Sequence, residues 1–576
     1  MNNPTFLDAA KKRAGRVKSV HDHLNRAGDL PRVLGVVDLT FLGLGSILGA
    51  GVYVLSGVTA SSVAGPSVVL SFLIASLAAL FAALCYAEFA VELPVTGGAF
   101  NYISVTFGEA AAWSTAWNMI LETLLSSSAV ARGFSGYLAT LLGRQPADFL
   151  VSPLDLDFLA AGLIVALTAV LSRGTKQSSV FNIVVCSINL SCIAFILVAG
   201  LPQAEPSNLE PFFPYGTRGT FAAASIIFFA FVGFDYIANA AEEASDPRRG
   251  LPIGIIASLG IATLLYVLMA TTLVMMVPAA QVDVHAPFSA AFAARGVHWA
   301  AKIVSCGALA GIITSTMTGL LSQARLFVVL GRERLLPAAL AHVHPITNCP
   351  LVATLVTGGC AAVLALLLDI NILAELVSVG TLYVFYAVCA GTYFWRCHLP
   401  GTTRPQPALA RLGALTLSSL CLSISFTYRA PGFLLAVFSI AWICAAAAMC
   451  TLRSQRTPAR FAVPVFPATS ILGILFTIHL LCSLGWPAYV RFLVWMVLGS
   501  VVYALYGAKS AEAHEIELKL VAQQQQLQVQ LEQQEGEGDI QLVGRTLSSL
   551  DPEGPIGRAQ DEDKRWLLRG DAEASA

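Results

Sequence analysis

The chain has 576 residues, 56% hydrophobic and 12% charged, with 34 Lys and Arg against 35 Asp and Glu for a net charge of −1. That charged fraction is about half of what a soluble domain carries, and the mean hydropathy is +0.71. A soluble globular body and a nucleic-acid partner are both excluded on these grounds. Apolar runs recur along the chain, most of them long enough to cross ~30 Å of hydrocarbon. The expectation is an all-α polytopic membrane protein.

About fourteen spans are predicted, near residues 36–60, 67–92, 110–143, 156–172, 179–201, 219–243, 251–279, 299–330, 351–369, 371–396, 409–427, 432–452, 462–485 and 488–507. The first follows a polar, basic tail and no A-x-A cleavage site comes after it, so it reads as a retained helix rather than a signal peptide. Lys11, Lys12, Arg13, Arg16, Lys18, Arg26 and Arg32 crowd that tail. Alternate loops carry Arg173 and Lys176; Arg248 and Arg249; Arg332 and Arg334; Arg396 and Arg404; and Arg453, Arg456 and Arg460. The intervening loops hold only Arg144, Arg218, Arg295 and Arg429 as notable cations. The positive-inside rule then places both termini in the cytosol, consistent with an even number of spans. Trp486 and Tyr489 suit an outer interface, where amphipathic rings are favoured.

Within the first span, Gly43, Gly45, Gly49 and Gly51 fall inside nine residues. A dinucleotide fingerprint needs a preceding strand, and none is predicted. Two readings stay open. Gly45 and Gly49 have the spacing of a helix-packing motif. Alternatively the helix unwinds, which a membrane tolerates only where freed backbone lines a cavity or meets a ligand. Carbonyls of Gly43 to Ile47 would then face an ammonium, and N–H groups of Gly49, Ala50 and Gly51 a carboxylate. An α-amino acid carries both groups one carbon apart. A second weak spot, Phe229 to Asp235, lies some 190 residues later. Two interrupted segments in corresponding halves point to a transport site. Carbonyls of Phe229, Ala230 and Phe231 would complete the ammonium site, and Phe231 or Phe234 would close over it.

Charges inside spans are costly and usually functional. Glu122 sits near the middle of the third span, as a counter-charge for a cationic side chain, a proton site, or a structural acid bonded to Arg132 or backbone. Asp235 is the second candidate for charge recognition. Glu88 ends the second span near the inner face, where water solvates it or a gate pairs it. Glu242 and Glu243, followed by Asp246, Pro247, Arg248 and Arg249, suit a salt-bridge gate or a solvated turn. Gln323 and Arg325, with Arg332 and Arg334, form a similar cluster.

From about Lys509 the chain turns polar. A stripe of Ile516, Leu520, Leu527 and Leu531 beside the run Gln523 to Gln526 predicts a short helix fraying into disorder. Asp563 to Leu568 fits an acidic dileucine sorting pattern. Most of the twelve cysteines lie in apolar spans and read as buried hydrophobes, with no zinc or disulfide framework. No metal or other cofactor is expected. His21, His23, His342 and His344 lie in polar segments; no H-E-x-x-H, G-x-S-x-G or phosphate loop is present, so an enzyme is not expected.

In order and spacing, a series of motifs resembles the cationic amino acid transporter family of the amino acid–polyamine–organocation superfamily. They are Gly45–Tyr53 (GSILGAGVY), Cys85–Glu88 (CYAE), Ser128–Gly133 (SAVARG) and Phe228–Asp235 (FFAFVGFD). Ala241–Glu243 with Asp246 and Pro247, Gln323–Arg325, Val343–Pro345 with Pro350, and Arg491–Trp495 leading to Tyr506 and Gly507 continue the series. The resemblance covers nearly all of residues 30–508. It implies a LeuT-type fold: two inverted five-helix repeats with discontinuous first and sixth helices, then four extra helices. The implied division is a cytosolic tail 1–33, a transport core 34–396, further helices 397–508 and a cytosolic tail 509–576. It carries the amino acid site onto Ser46, Ile47, Gly49, Ala50 and Gly51, with Phe229, Ala230 and Phe231 opposite. Read from the residues themselves, Phe234, Glu88, Glu242, Glu243 and Arg325 are the gate candidates. Proton-coupled bacterial relatives carry a lysine in the fifth span where Asn189 stands here, which favours potential-driven uniport. Gln177 replaces an acid common in the family. The expected function is transport of arginine, lysine and ornithine across the plasma, vacuolar or endosomal membrane. Proton symport, a neutral amino acid or polyamine substrate, and a non-transporting sensor are the alternatives.

Overall fold

The computed structural model describes residues 32–507 other than 145, 152–155, 285, 346, 348, 369 and 459, together with residue 510. Most of the basic N-terminal tail, the predicted tail helix and the dileucine pattern lie outside the described residues, as does the side chain of Gln177. The chain divides into two compact units, Met1–Tyr503 and Ala504–Ala576.

The first predicted span is broken into α1 (Val36–Ile47), α2 (Ala50–Tyr53) and α3 (Leu55–Ser62). Next come α4 (Val68–Glu92), α5 (Ala99–Thr106), α6 (Glu109–Leu142), α7 (Phe158–Leu171) and α8 (Thr175–Gly200). The sixth predicted span is also interrupted: α9 (Gly216–Ile227), a 3-10 turn at Phe228–Phe231, then α10 (Tyr236–Asn239). The chain continues through α11 (Pro247–Met276), α12 (Pro287–Ala294), α13 (His298–Arg332), α14 (Leu351–Leu367) and α15 (Ile370–Cys397). It ends in α16 (Gln406–Thr427), α17 (Gly432–Cys450), α18 (Ala468–Cys482) and α19 (Trp486–Val502). Each predicted span therefore has a helical counterpart. Ten helical stretches among the described residues are long and apolar enough to cross a membrane.

Four elements went unpredicted. α5 and α12 have eight residues each, too short for an apolar-run signal. Leu150–Val151 (β1) and Leu156–Asp157 (β2) form an antiparallel pair, a small departure from the all-helical expectation.

Two groups of helices position the site. In one, α11 packs along α1 and α4; in the other, α6 packs along α13 and α14, and α7 along α14. α15 lies against α6, and α18 against α15 and α16. α19 is pinned to α6 by indole hydrogen bonds: Trp117 Nε1 donates to Trp495 O at 2.9 Å, and Trp495 Nε1 donates to Trp117 O at 3.1 Å, with the rings stacked at 4.4 Å. Outward-facing side chains are large and apolar, such as Leu264 (61% exposed), Leu417 (62%) and Leu493 (64%). Such a surface suits lipid, not water.

Candidate functional site

The two helix breaks meet at the centre of the molecule. After Ile47 the α1 helix stops, with Leu48 at φ −77° and ψ 64°, and helix resumes at Ala50. In the second break Val232 is extended and Gly233 has φ +125°, a conformation that disfavours a side chain. The Ser46 hydroxyl ties the breaks together, donating to Gly43 O at 2.8 Å and to Gly233 O at 2.9 Å. Their backbones nearly touch. A Cβ on Gly51 would lie 2.5 Å from Ala230 Cα, and one on Gly233 would lie 2.5 Å from Ser46 Oγ. Two readings of the glycines, helix packing and access for a ligand, were left open. The glycines' first requirement is closeness to protein: Gly49 abuts Ser315, and Gly45 abuts Asn182.

Buried backbone carbonyls need partners, and side chains from flanking helices supply them. Tyr266 of α11 donates to Ile47 O and to Ala230 O, the latter at 3.1 Å, so one hydroxyl bridges both breaks. Ser315 of α13 donates to Ser46 O at 2.7 Å. Asn182 Nδ2 donates to Phe41 O at 3.0 Å. These contacts correct the picture of carbonyls left bare for an ammonium. Each carbonyl oxygen has two lone pairs, so a second donor is still accommodated. On the other side of the first break, the restarted helix begins at Ala50. Its first N–H groups have no acceptor within the helix.

Asn189 sits fully buried against the same break, its Nδ2 donating to Leu48 O at 2.8 Å and its Oδ1 accepting from the Tyr53 hydroxyl at 2.6 Å. Tyr53 O in turn accepts from the Tyr137 hydroxyl at 2.6 Å. An uncharged amide thus does the capping at this point.

Glu122, in the middle of α6, is 1% exposed, and among the described residues neither carboxylate oxygen has a hydrogen-bond partner. It lies within electrostatic range of Asp235, Tyr86 and Tyr236. The neighbouring Thr381 hydroxyl donates to Val377 O at 3.0 Å instead. The expected alternative of a bond to Arg132 is not realised: Arg132 reaches Leu368 O at 2.6 Å and Asp157 at 3.9 Å. Among the described residues the Tyr86 and Tyr236 hydroxyls nearby are also unpartnered, as are the Tyr102 hydroxyl and the Gln323 amide elsewhere in the buried interior. Asp235 is partly committed, because its Oδ1 accepts the Gly233 N–H at 3.0 Å and so braces the second break.

Phe229 and Phe231 are buried beside this centre. Phe231 packs edge-on against Tyr266 and Phe72, at 5.2 and 6.4 Å between centroids. Phe234 packs against Phe385 at 5.0 Å and Tyr86 at 5.8 Å.

The remaining charged candidates gather at the end of the molecule that carries the arginine-rich loops. Glu243 and Arg325 form a buried bidentate pair. Glu242 accepts from Arg332 at 3.1 Å and from the Thr96 N–H at 3.2 Å. Neither glutamate belongs to a solvated turn. Glu88 is 1% exposed, which removes the water-solvated reading and leaves the paired one. Arg396 grips it, Nε donating to Oε1 at 2.7 Å and Nη2 to Oε2, and the Val463 N–H adds a bond of 2.7 Å. Arg396 was assigned to a loop and is instead buried, with its guanidinium 4.5 Å from the Phe466 ring. The Arg332 and Arg396 partnerships and the bridging Tyr266 were missed by sequence reasoning. An arginine at a helix end signals orientation first, and a tyrosine in an apolar span carries no mark of its partner.

Two broken helices meeting amid buried unpartnered polar groups, in a body of long apolar helices, define a polytopic membrane carrier rather than an enzyme. An amino acid permease family model matches residues 34–476, and a model of the C-terminus of such permeases matches 461–511. The chain is 37% identical over 527 residues to Cationic amino acid transporter 7, chloroplastic, of Arabidopsis thaliana, covering 87% of this chain and 90% of the relative. It is 36% identical over 516 residues to the Branched-chain amino acid permease BcaP of Bacillus subtilis, covering 87% and 99%. With Cationic amino acid transporter 4 of Homo sapiens it shares 32% identity over 593 residues, covering 89% and 93%. The chain belongs to the amino acid permease family, and within it to the cationic amino acid transporters of the amino acid–polyamine–organocation superfamily. It is a multi-pass membrane protein that transports amino acids.

Proposed function

We propose that the protein carries cationic L-amino acids, namely arginine, lysine and ornithine, by alternating access as a potential-driven uniporter. The observation that carries this reading is Glu122. A buried carboxylate without a partner is costly, and a guanidinium or ammonium on the substrate side chain supplies the missing charge with hydrogen bonds. Asp235 adds negative potential from the second break. The amino acid backbone is held by Ser46, Ile47, Gly49, Ala50 and Gly51 on one side and Phe229, Ala230 and Phe231 on the other. The amide of Asn189 supports uniport, since no titratable group stands there to exchange a proton.

The two helix groups support a LeuT-type arrangement of inverted five-helix repeats followed by four helices, fourteen spans in all. In this reading residues 34–396 form the transport core, 397–508 the added helices, and 1–33 and 509–576 cytosolic tails. The pairs Glu243–Arg325, Glu242–Arg332 and Glu88–Arg396 close the cytosolic side, and Phe234 gates the site. A plasma, vacuolar or endosomal membrane fits the reading.

Glu122→Gln in proteoliposomes tests it. Arginine uptake falls much further than leucine uptake if the carboxylate reads the substrate charge; equal loss makes Glu122 structural. A neutral substrate is the second reading, favoured by the similarity to a permease named for branched-chain amino acids. Competition of leucine against labelled arginine separates the two.

A further inference from the structure

A cleft of about 530 Å³ opens at the start of α11, away from the transport centre. Arg248 and Arg249 in the first turn of α11 form one side, and Arg460, from the segment before α18, forms another. Ile253, Ile256 and Phe461 supply an apolar wall. Among the described residues no carboxylate lines the cleft, and all three arginines are exposed.

Three cations held together repel one another. Two of them also occupy the positive end of a helix dipole, where anions are favoured and cations are not. The positive-inside rule accounts for cations at this end of the molecule; an anionic ligand accounts for three of them lining one cleft with no carboxylate among the described lining residues. The apolar wall narrows the choice. Ile253 is 41% exposed, and Ile261, Leu264 and Leu268 continue the same stripe outward along α11 at 41%, 61% and 39%. Spacings of about two turns, then three and four residues, keep them on one helix face. The stripe from 253 to 268 runs ~22 Å, more than the ~15 Å depth of one leaflet's hydrocarbon. Guanidinium groups bind phosphate with paired hydrogen bonds. Basic pockets at this depth on the cytosolic side suit anionic headgroups.

We infer that this cleft binds an anionic glycerophospholipid, with the phosphate on Arg248, Arg249 and Arg460 and an acyl chain along the Ile253–Leu268 stripe. The leaflet named is the cytosolic one, which rests on the orientation proposed above; binding itself does not depend on the transported substrate.

The test uses the full-length protein in nanodiscs of phosphatidylcholine with and without phosphatidylglycerol, with bound lipid counted by native mass spectrometry. The wild type retains phosphatidylglycerol in preference to phosphatidylcholine. Arg248→Gln, Arg249→Gln and Arg460→Gln each reduce that preference about fivefold, and Ile253→Ser reduces it while leaving the cations intact. Unchanged preference in the triple arginine variant overturns the proposal. So does displacement of the lipid by glycerol 3-phosphate at matched concentration, which marks a headgroup-only site. Arginine uptake is measured on the same preparations, so failure of the transport reading is seen separately.

Discussion

Arg325 holds Glu243 through two hydrogen bonds, Nε to Oε1 at 2.6 Å and Nη2 to Oε2 at 2.8 Å, and neither side chain is more than 3% exposed. The pair joins α13, of one helix group, to the segment that follows the second break. The Leu34 N–H donates to Glu243 O at 2.9 Å, so the start of the first broken helix is fastened to the same point. In the proposed alternating-access cycle, opening the site toward this end separates these contacts.

Removing one member of a buried ion pair strands the other charge, at a cost of ~3–5 kcal/mol. Glu243→Gln and Arg325→Gln should therefore each lower thermal stability in detergent and abolish uptake. The double variant, with neither charge left, should be more stable than either single one. A double variant as unstable as the sum of the singles would show that the two residues act independently.

Tyr266→Phe removes one hydroxyl and leaves the Ile47 and Ala230 carbonyls without that donor. A lost buried hydrogen bond costs ~1–3 kcal/mol. If the hydroxyl sets the relative position of the breaks, substrate affinity should fall about tenfold, equivalent to ~1.4 kcal/mol, with the fold intact by circular dichroism. Binding titration decides; unchanged affinity would reduce Tyr266 to a packing residue.

Gly233→Ala places a Cβ on a residue at φ +125° and 2.5 Å from Ser46 Oγ. Strain of this kind costs ~1–3 kcal/mol, and the clash pushes Ser46 from its bonds to Gly43 O and Gly233 O. Uptake should vanish in the variant. Ser46→Ala in the same background removes the Oγ contact but leaves Ser46 Cβ 2.7 Å from the added Cβ, so it should recover only a small part of the lost thermal stability; full recovery would place the whole effect in the Ser46 hydroxyl.

Asn189→Lys puts a titratable cation against Leu48 O and the Tyr53 hydroxyl. Transport by this variant should become sensitive to external pH at fixed membrane potential, whereas wild-type uptake should not. Equal pH responses of the two would remove position 189 from any coupling role.

The sequence exposed the large features because they are local. Apolar runs marked each span, and the glycines from Gly43 to Gly51 and the stretch from Phe229 to Asp235 marked the two breaks. Glu122 stood out because a charge in an apolar run is conspicuous. Partnerships were not legible. Glu88 and Arg396 lie 308 residues apart, and nothing in either neighbourhood names the other. Glu88 consequently read as either solvated or paired, with no partner named. Tyr266 and Ser315 looked like ordinary span residues, although their hydroxyls hold the carbonyls that the breaks release. The short α5 and α12 helices were invisible because eight residues give too little periodicity against loop composition.

The most direct measurement is labelled L-arginine uptake into proteoliposomes at constant pH, with and without an inside-negative potassium diffusion potential. Uptake that the potential stimulates and excess lysine blocks is the predicted result. Folded protein that ignores the potential and takes up leucine but not arginine would contradict the assignment of a cationic substrate and return Glu122 to a structural role.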